Sequence, residues 1–97
     1  MIEDKFAYRT IHFKLHAPEA QSVNLSGTFN DWNVSSHPMK RCGKKKNGGG
    51  DWQVFIRLLP GTYQYLFYVD GQWWHDPASH QYIPNEFGSL NNVMEVK

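Results

Sequence analysis

The chain has 97 residues, with 10 lysines and arginines against 9 aspartates and glutamates and a formal net charge of +1. This length suits one hydrophobic core, and the balanced charge excludes a global field that would gather nucleic acid or a membrane surface. The single cysteine, Cys42, excludes an internal disulfide, and no run of about 18 apolar residues predicts a membrane span. Because no signal-peptide pattern opens the chain, we expect a cytoplasmic domain without nucleic-acid or membrane partners.

Alternating apolar residues predict two strands in the first third of the chain, over residues 10–16 and 22–27. We expect these two strands to pair with each other, with a break at Pro18 between them. After Gly27 the segment TFNDWN is rich in Asn and Asp, which favour turns, so Trp32 is expected on a bend near solvent. Residues 39–50 predict a short strand and then a glycine-rich hairpin tip.

The second half of the chain predicts four further strands. Two of them cover residues 52–58 and 62–69, and Asp70 with Gly71 predicts a type I′ turn that returns the chain over residues 72–75. We expect a loop of about a dozen residues after Pro77, and a last strand over residues 91–96. The pattern predicts an all-β fold, an immunoglobulin-like antiparallel β-sandwich of about seven to eight strands.

Catalytic and metal-binding chemistry has no evident place in this sequence. His12 and His16 share a strand face but lie roughly 13 Å apart along it, too far to hold one metal ion. His75 and Asp76 could be read as a base and its orienting group, but a strand end capped by Asp76 is the favoured interpretation. We therefore expect no enzyme activity, no metal and no cofactor.

A basic run could indicate an anionic partner. It consists of Lys40, Arg41, Lys44, Lys45 and Lys46. A solvated hairpin tip is the preferred interpretation, because lysines keep such a loop soluble and prevent edge pairing.

The aromatic content, 15 % of the chain, exceeds what so small a core needs, which favours exposed binding residues. A pyranose ring has an apolar face that stacks on an indole and a rim of hydroxyls that amide side chains can bind. Tryptophans or amides cluster at three predicted turns, within residues 30–33, 70–74 and 89–92. Composition alone does not distinguish tryptophans that bind sugar from tryptophans that pack at the ends of the sandwich and cover its core.

Three blocks of sequence resemble one family, in the same order. They are VNLSGTFNDWN, GDWQVFIRLLPGTYQYLFYVDGQWWHDP and FGSLNNVMEV. The chain from about residue 10 onward resembles the family 48 carbohydrate-binding modules, which include the glycogen-binding domain of the AMP-activated protein kinase beta subunit. The resemblance implies an early-set immunoglobulin-like sandwich over residues 10–97, preceded by an N-terminal extension over residues 1–9.

The resemblance also assigns the binding residues. Trp32 and Trp73 match the two stacking tryptophans, and we expect their rings to form a flat bed for glucose units. Phe87 matches the hydrophobic loop residue that projects through a curved glucan, where leucine is usual. Ser89 and Asn91 match the hydroxyl and amide positions that bind sugar hydroxyls.

One position departs from the family pattern, because Leu66 stands where the kinase domains carry a lysine. Gln64 or Tyr68, on the same strand face, could compensate for the lost donor. Trp74 is expected to pack or to be partly exposed on the face opposite Trp73, and Trp52 is expected in the core.

The implied function is non-catalytic binding of α-1,4-glucan, such as glycogen, starch or maltooligosaccharides. The alternative is a protein-interaction domain that docks on a kinase subunit or a glucan-metabolising enzyme.

Overall fold

Two antiparallel sheets, one of three strands and one of five, form the part of the chain that the computed structural model describes, residues 7–43 and 49–97. The strands are β1 (Arg9–His16), β2 (Val23–Gly27), β3 (Lys40–Cys42), β4 (Asp51–Leu58), β5 (Gly61–Val69), β6 (Gln72–Trp74), β7 (Tyr82–Pro84) and β8 (Leu90–Val96). This arrangement confirms the predicted all-β sandwich. Three residues of the basic run, Lys44, Lys45 and Lys46, lie outside the described residues.

The expected pairing of the first two strands is wrong. The three-stranded sheet has the order β1-β4-β3, and β2 lies in the five-stranded sheet beside β5. The connection between β1 and β2 crosses from one sheet to the other, and its residues Ala17 and Ala20 are buried in the core. Alternation in the sequence shows that a strand exists but does not show which strand it pairs with.

The central strand of the larger sheet is β5. It pairs with β2 along one edge and with β8 and then β6 along the other, so Tyr65 lies opposite both Gly27 and Asn92. Its side chains alternate between two environments. Tyr65 and Phe67 point into the core, whereas Gln64 and Leu66 point to the outer face of the sheet.

Asp70 and Gly71 form the predicted tight turn. Both have positive φ, 48° and 83°, as a type I′ turn requires. The turn fixes the register of β6, in which Trp73 lies opposite Tyr68 and Trp74 lies opposite the buried Phe67. The two tryptophans therefore leave opposite faces of the strand.

The long loop expected after Pro77 contains a strand, β7, which the sequence prediction missed. Its three residues pair with β8 and all are exposed, and Pro84 ends the strand. A three-residue strand is too short for its alternation to be recognised, and proline is tolerated there because β7 lies at the edge of the sheet.

The core lies between the two sheets and contains most of the predicted inward-facing residues. Phe13, Leu25, Trp52 and Phe67 are all buried, as the alternation predicts. Within residues 7–43 and 49–97, no helix has the length and apolar character needed to cross a membrane.

Candidate carbohydrate-binding groove

All five residues that the sequence assigns to sugar binding line one open groove on the outer face of the five-stranded sheet. The groove has a volume of about 520 Å³. The five are Trp32, Trp73, Phe87, Ser89 and Asn91. They come from three separate segments, which are the turn after β2, strand β6 and the segment from the loop after β7 into β8.

Trp32 lies on a tightly bonded turn. A short 3₁₀ segment (Thr28–Asn30) follows β2, and Asp31 and Trp32 then adopt left-handed backbone angles, with φ of 54° and 58°. The Trp32 amide donates to the Gly27 carbonyl at 2.9 Å, and the Asn30 side chain accepts from the Gly27 amide at 3.0 Å. These bonds hold the half-buried Trp32 ring at the groove.

Trp73 is the second indole of the groove, and 49 % of its surface is exposed. It packs on Tyr68, with ring centroids 4.8 Å apart, and meets Trp32 edge to face at 6.2 Å. The two indole planes lie 79° apart, so the pair forms an angled corner and not the flat bed expected from the sequence.

Phe87 stands out from the protein, with 85 % of its surface exposed. The loop that carries it is held by Asn85, whose Oδ1 accepts from the amides of Phe87 at 2.9 Å and Ser89 at 3.0 Å. Gly88 has a φ of 79°, a left-handed conformation that favours glycine. This short loop therefore fixes Phe87 above the groove while leaving its ring free of the core.

A line of three amide side chains runs beneath the loop. Asn85 Nδ2 donates to Asn91 Oδ1 at 3.0 Å, and Asn91 Nδ2 donates to Gln64 Oε1 at 3.1 Å. Asn91 is only 7 % exposed and is engaged at both ends of its amide. Among the described residues, Gln64 Nε2 has no hydrogen-bond acceptor. The Gln64 amide nitrogen at the groove wall can therefore donate to a ligand.

Leu66 forms part of the groove floor and is 8 % exposed. Its side chain emerges beside that of Gln64 on the outer face of β5, so a lysine at this position would reach the groove from below. Of the two compensating groups that the sequence offered, Gln64 lines the groove and Tyr68 packs against Trp73, whereas Asn85, which also lines the groove, was missed. The pattern Asn-x-x-Gly at residues 85–88 is a turn signal that could have identified it.

The other polar candidates have structural partners. His75 Nε2 donates to the Leu90 carbonyl at 2.8 Å, and Asp76 accepts the Tyr65 hydroxyl at 2.6 Å, so the two do not form a base and its orienting group. Burial, together with the bond to Asp76, raises the pKa of Tyr65 well above its usual value. No group of three His, Cys, Asp or Glu residues in the described ranges is placed to hold a metal ion.

Comparison with known proteins identifies relatives of this domain. Residues 10–97 match a family model described as the glycogen recognition site of AMP-activated protein kinase. The chain is 39 % identical over 77 residues to 5'-AMP-activated protein kinase subunit beta-1 of Bos taurus, and 38 % identical to its counterpart in Homo sapiens. The beta-2 subunit of Mus musculus is 35 % identical over the same length. Each alignment covers 79 % of this chain, which spans about a quarter of the length of these relatives.

Proposed function

This chain belongs to the family of glycogen recognition domains of AMP-activated protein kinase, and from that membership we propose that it binds α-1,4-glucan in the groove formed by Trp32, Trp73 and Phe87. Glycogen is the favoured natural ligand, and starch chains and maltooligosaccharides share its linkage. The binding is non-catalytic, as in a carbohydrate-binding module, and we extend this property from the domain to the whole chain.

One observation carries the proposal. Five side chains assigned from three distant segments of sequence meet around a single groove, although each segment belongs to a different part of the sheet. Structural plugging of the sandwich end does not explain this arrangement, because about half of the Trp73 surface and most of the Phe87 surface are exposed. Exposed aromatic side chains beside amide groups are the combination that a sugar ring requires.

The corner between the indoles suits a glucan that bends. In an α-1,4-linked chain successive rings turn relative to one another, so two perpendicular indole planes can each meet a different glucose ring. Phe87 then projects toward the inside of the curve. Trp32 and Trp73 supply stacking surfaces, and Phe87 supplies an apolar contact that depends on the shape of the chain.

The polar contacts fall on Ser89, Gln64 and Asn91. The Ser89 hydroxyl is exposed, and Gln64 presents an amide donor whose direction is set by its bond to Asn91. Asn91 keeps a second amide hydrogen for a sugar hydroxyl. Gln64 therefore takes part of the role of the lysine that Leu66 replaces.

Association with a kinase subunit is the second candidate function, because the relatives are themselves subunits of a kinase. The observation that favours it is an exposed aromatic pair on the other sheet, where His12 stacks on Phe55 with ring centroids 4.3 Å apart. This surface faces away from the groove, so both functions can coexist in one domain.

The test is a titration of the protein with maltoheptaose, followed by tryptophan fluorescence and amide NMR shifts. We expect a dissociation constant in the micromolar to millimolar range, or about −8 to −4 kcal/mol, because a shallow groove desolvates few groups. A β-1,4-linked oligosaccharide of equal length is the control, since it cannot follow the corner. Absence of any shift at millimolar maltoheptaose would remove the proposal.

A further inference from the structure

Trp74 remains unused by the first groove. It lies on the opposite face of β6 from Trp73, and 41 % of its surface is exposed. Its ring borders a second, smaller groove of about 200 Å³, whose floor is formed by Val69 and by the buried alanines Ala17 and Ala20. An indole beside an open, shallow groove is the same element that makes the first groove suitable for sugar.

The wall of this second groove is fixed in place. Trp52 Nε1 donates to the Ala17 carbonyl at 3.0 Å, and an Arg41 guanidinium nitrogen donates to the Ala20 carbonyl at 2.6 Å. The Asp70 carboxylate accepts from the amides of Gln21 at 3.0 Å and Ser22 at 2.8 Å. Three sets of hydrogen bonds therefore hold the connection between β1 and β2. A ligand would meet a preformed surface, and the entropic cost of ordering this loop on binding would be small.

The rim of the groove determines the class of ligand. Glu19 and His16 line it as exposed side chains, with His16 Nδ1 bonded to Asp51 at 2.7 Å so that its Nε2 edge faces outward, whereas the Asp70 carboxylate is occupied by the loop amides. Two carboxylates at one small site disfavour an anion, and a carboxylate can accept from neighbouring hydroxyls of a neutral polyol. An indole face with a carboxylate and an imidazole at its rim fits a neutral sugar ring.

The two grooves lie on opposite faces of the short strand β6. β6 has three residues, and among the described strands it pairs only with β5, so its other edge is free. Trp73 and Trp74 are consecutive, and one chain of sugar units passing this edge, or two branches of one polymer, can reach both indoles.

We propose that the groove at Trp74 is a second sugar subsite, which takes a glucosyl unit of the same α-glucan that occupies the first groove. This inference rests on the proposed function for the identity of the ligand. A second contact raises the affinity for a long or branched polymer through effective concentration, and it adds little for a short oligosaccharide that fills only the first groove.

The experiment follows the indole N–H signals of the tryptophans by NMR, assigned by single Trp→Phe variants, during titration with maltoheptaose and with glycogen. In the wild-type protein we expect the Trp74 signal to shift, with a weaker midpoint than those of Trp32 and Trp73. In the double variant Trp32→Ala/Trp73→Ala, the Trp74 signal should still shift with maltoheptaose. Trp74→Ala and Glu19→Ala should each lower glycogen affinity by about three- to tenfold while leaving maltoheptaose affinity within about twofold.

The outcomes separate the two proposals. If Trp32 and Trp73 shift while Trp74 and the amides of Ala17 and Ala20 stay unchanged, the subsite is overturned and the first groove stands. If no tryptophan signal shifts, both proposals are overturned. Glu19→Ala changes an exposed side chain, so its result holds even where Trp74→Ala loses stability, and a thermal melt of each variant establishes that it is folded.

Discussion

Trp32 and Trp73 contact each other edge to face, so each indole helps to hold the other in position. Trp73 also rests on Tyr68, whereas Trp32 depends on its own turn and on Trp73. We expect Trp73→Ala to weaken maltoheptaose binding by at least about tenfold, or ~1.4 kcal/mol, because it removes one stacking surface and loosens the other. Isothermal titration calorimetry measures this change.

The control for this prediction is Phe55→Ala, which removes an aromatic side chain, 58 % exposed, from the other sheet. Its affinity should equal that of the wild-type protein. Equal affinities for Trp73→Ala and Phe55→Ala would contradict the assignment of the groove.

Asn85→Asp tests the line of amides. The aspartate still accepts from the amides of Phe87 and Ser89, but it cannot donate to Asn91 Oδ1, and its charge opposes that oxygen. We expect the fold to persist and sugar affinity to fall several-fold, because the orientation of Asn91 and Gln64 is lost. The affinity of Asn85→Asp should recover below the carboxylate's pKa, when its protonated form donates again. A variant that binds as the wild type does at pH 7 would show that the line is not needed.

Leu66→Lys restores the donor that the family pattern carries. The aliphatic part of the lysine can cover the groove floor while its ammonium reaches the open groove, so the cost of burial is limited. We expect maltoheptaose affinity to rise, by about tenfold for a charged hydrogen bond of ~1.5 kcal/mol. Leu66→Met is the matched control, because it has similar length without charge and should bind as the wild type does. A lysine variant that melts normally and binds no tighter would show that Gln64 already fills the role.

Gly27→Ala tests the close approach of β2 to β5. A Cβ at this position would overlap the Gln64 carbonyl oxygen and lie 2.7 Å from the Phe29 ring. Because the first neighbour is backbone, the strands must separate, and we expect a loss of about 1–3 kcal/mol in the free energy of unfolding. Urea denaturation measures it. The same change should weaken sugar binding, since the Gly27 carbonyl accepts the Trp32 amide. An unchanged denaturation midpoint would contradict this packing.

Tyr65→Phe tests the bond between Tyr65 and Asp76. Removing the hydroxyl leaves a buried carboxylate oxygen without its donor, which should cost about 1–3 kcal/mol at pH 7. The pKa of Tyr65 is raised in the folded state, chiefly by burial, so its stabilising effect is complete below the unfolded pKa of about 10 and declines as the pH rises above it. The stability difference between wild type and Tyr65→Phe should therefore shrink above about pH 10. Thermal melts at pH 7 and at pH 10.5 check this; a constant difference would contradict it.

Local sequence patterns predicted much of this fold, because alternation and turn chemistry depend only on neighbouring residues. Asp70 and Gly71 fixed the turn into β6, and alternation identified the buried faces of β1, β4 and β5. The pairing of β1 could not be predicted in this way, since its partner is β4, far along the chain. Strand β7 was also not predicted, because its three residues are all exposed and show no apolar alternation.

The residues assigned to the candidate site lie around one groove, but the orientation of their rings was not predicted. Resemblance placed Trp32, Trp73 and Phe87 in one site, and they do line one groove. The perpendicular setting of the indoles depends on the left-handed angles at Asp31 and Trp32, which no spacing of residues encodes. Asn85 was missed for a similar reason, because its role consists of bonds to backbone amides and to another amide side chain.

Alternate side chains of β5 contribute to the core and to the groove, so one strand serves both folding and ligand binding. If β5 slipped by one residue against its neighbours, Tyr65 and Phe67 would turn outward and Gln64 and Leu66 would turn inward. The interior would receive an amide that has no partner there, and the outer surface would receive two large apolar rings. A molecule with the wrong register would thus lose glucan binding and also expose an aggregation-prone apolar surface. Glucan binding can therefore serve as a test of correct strand register.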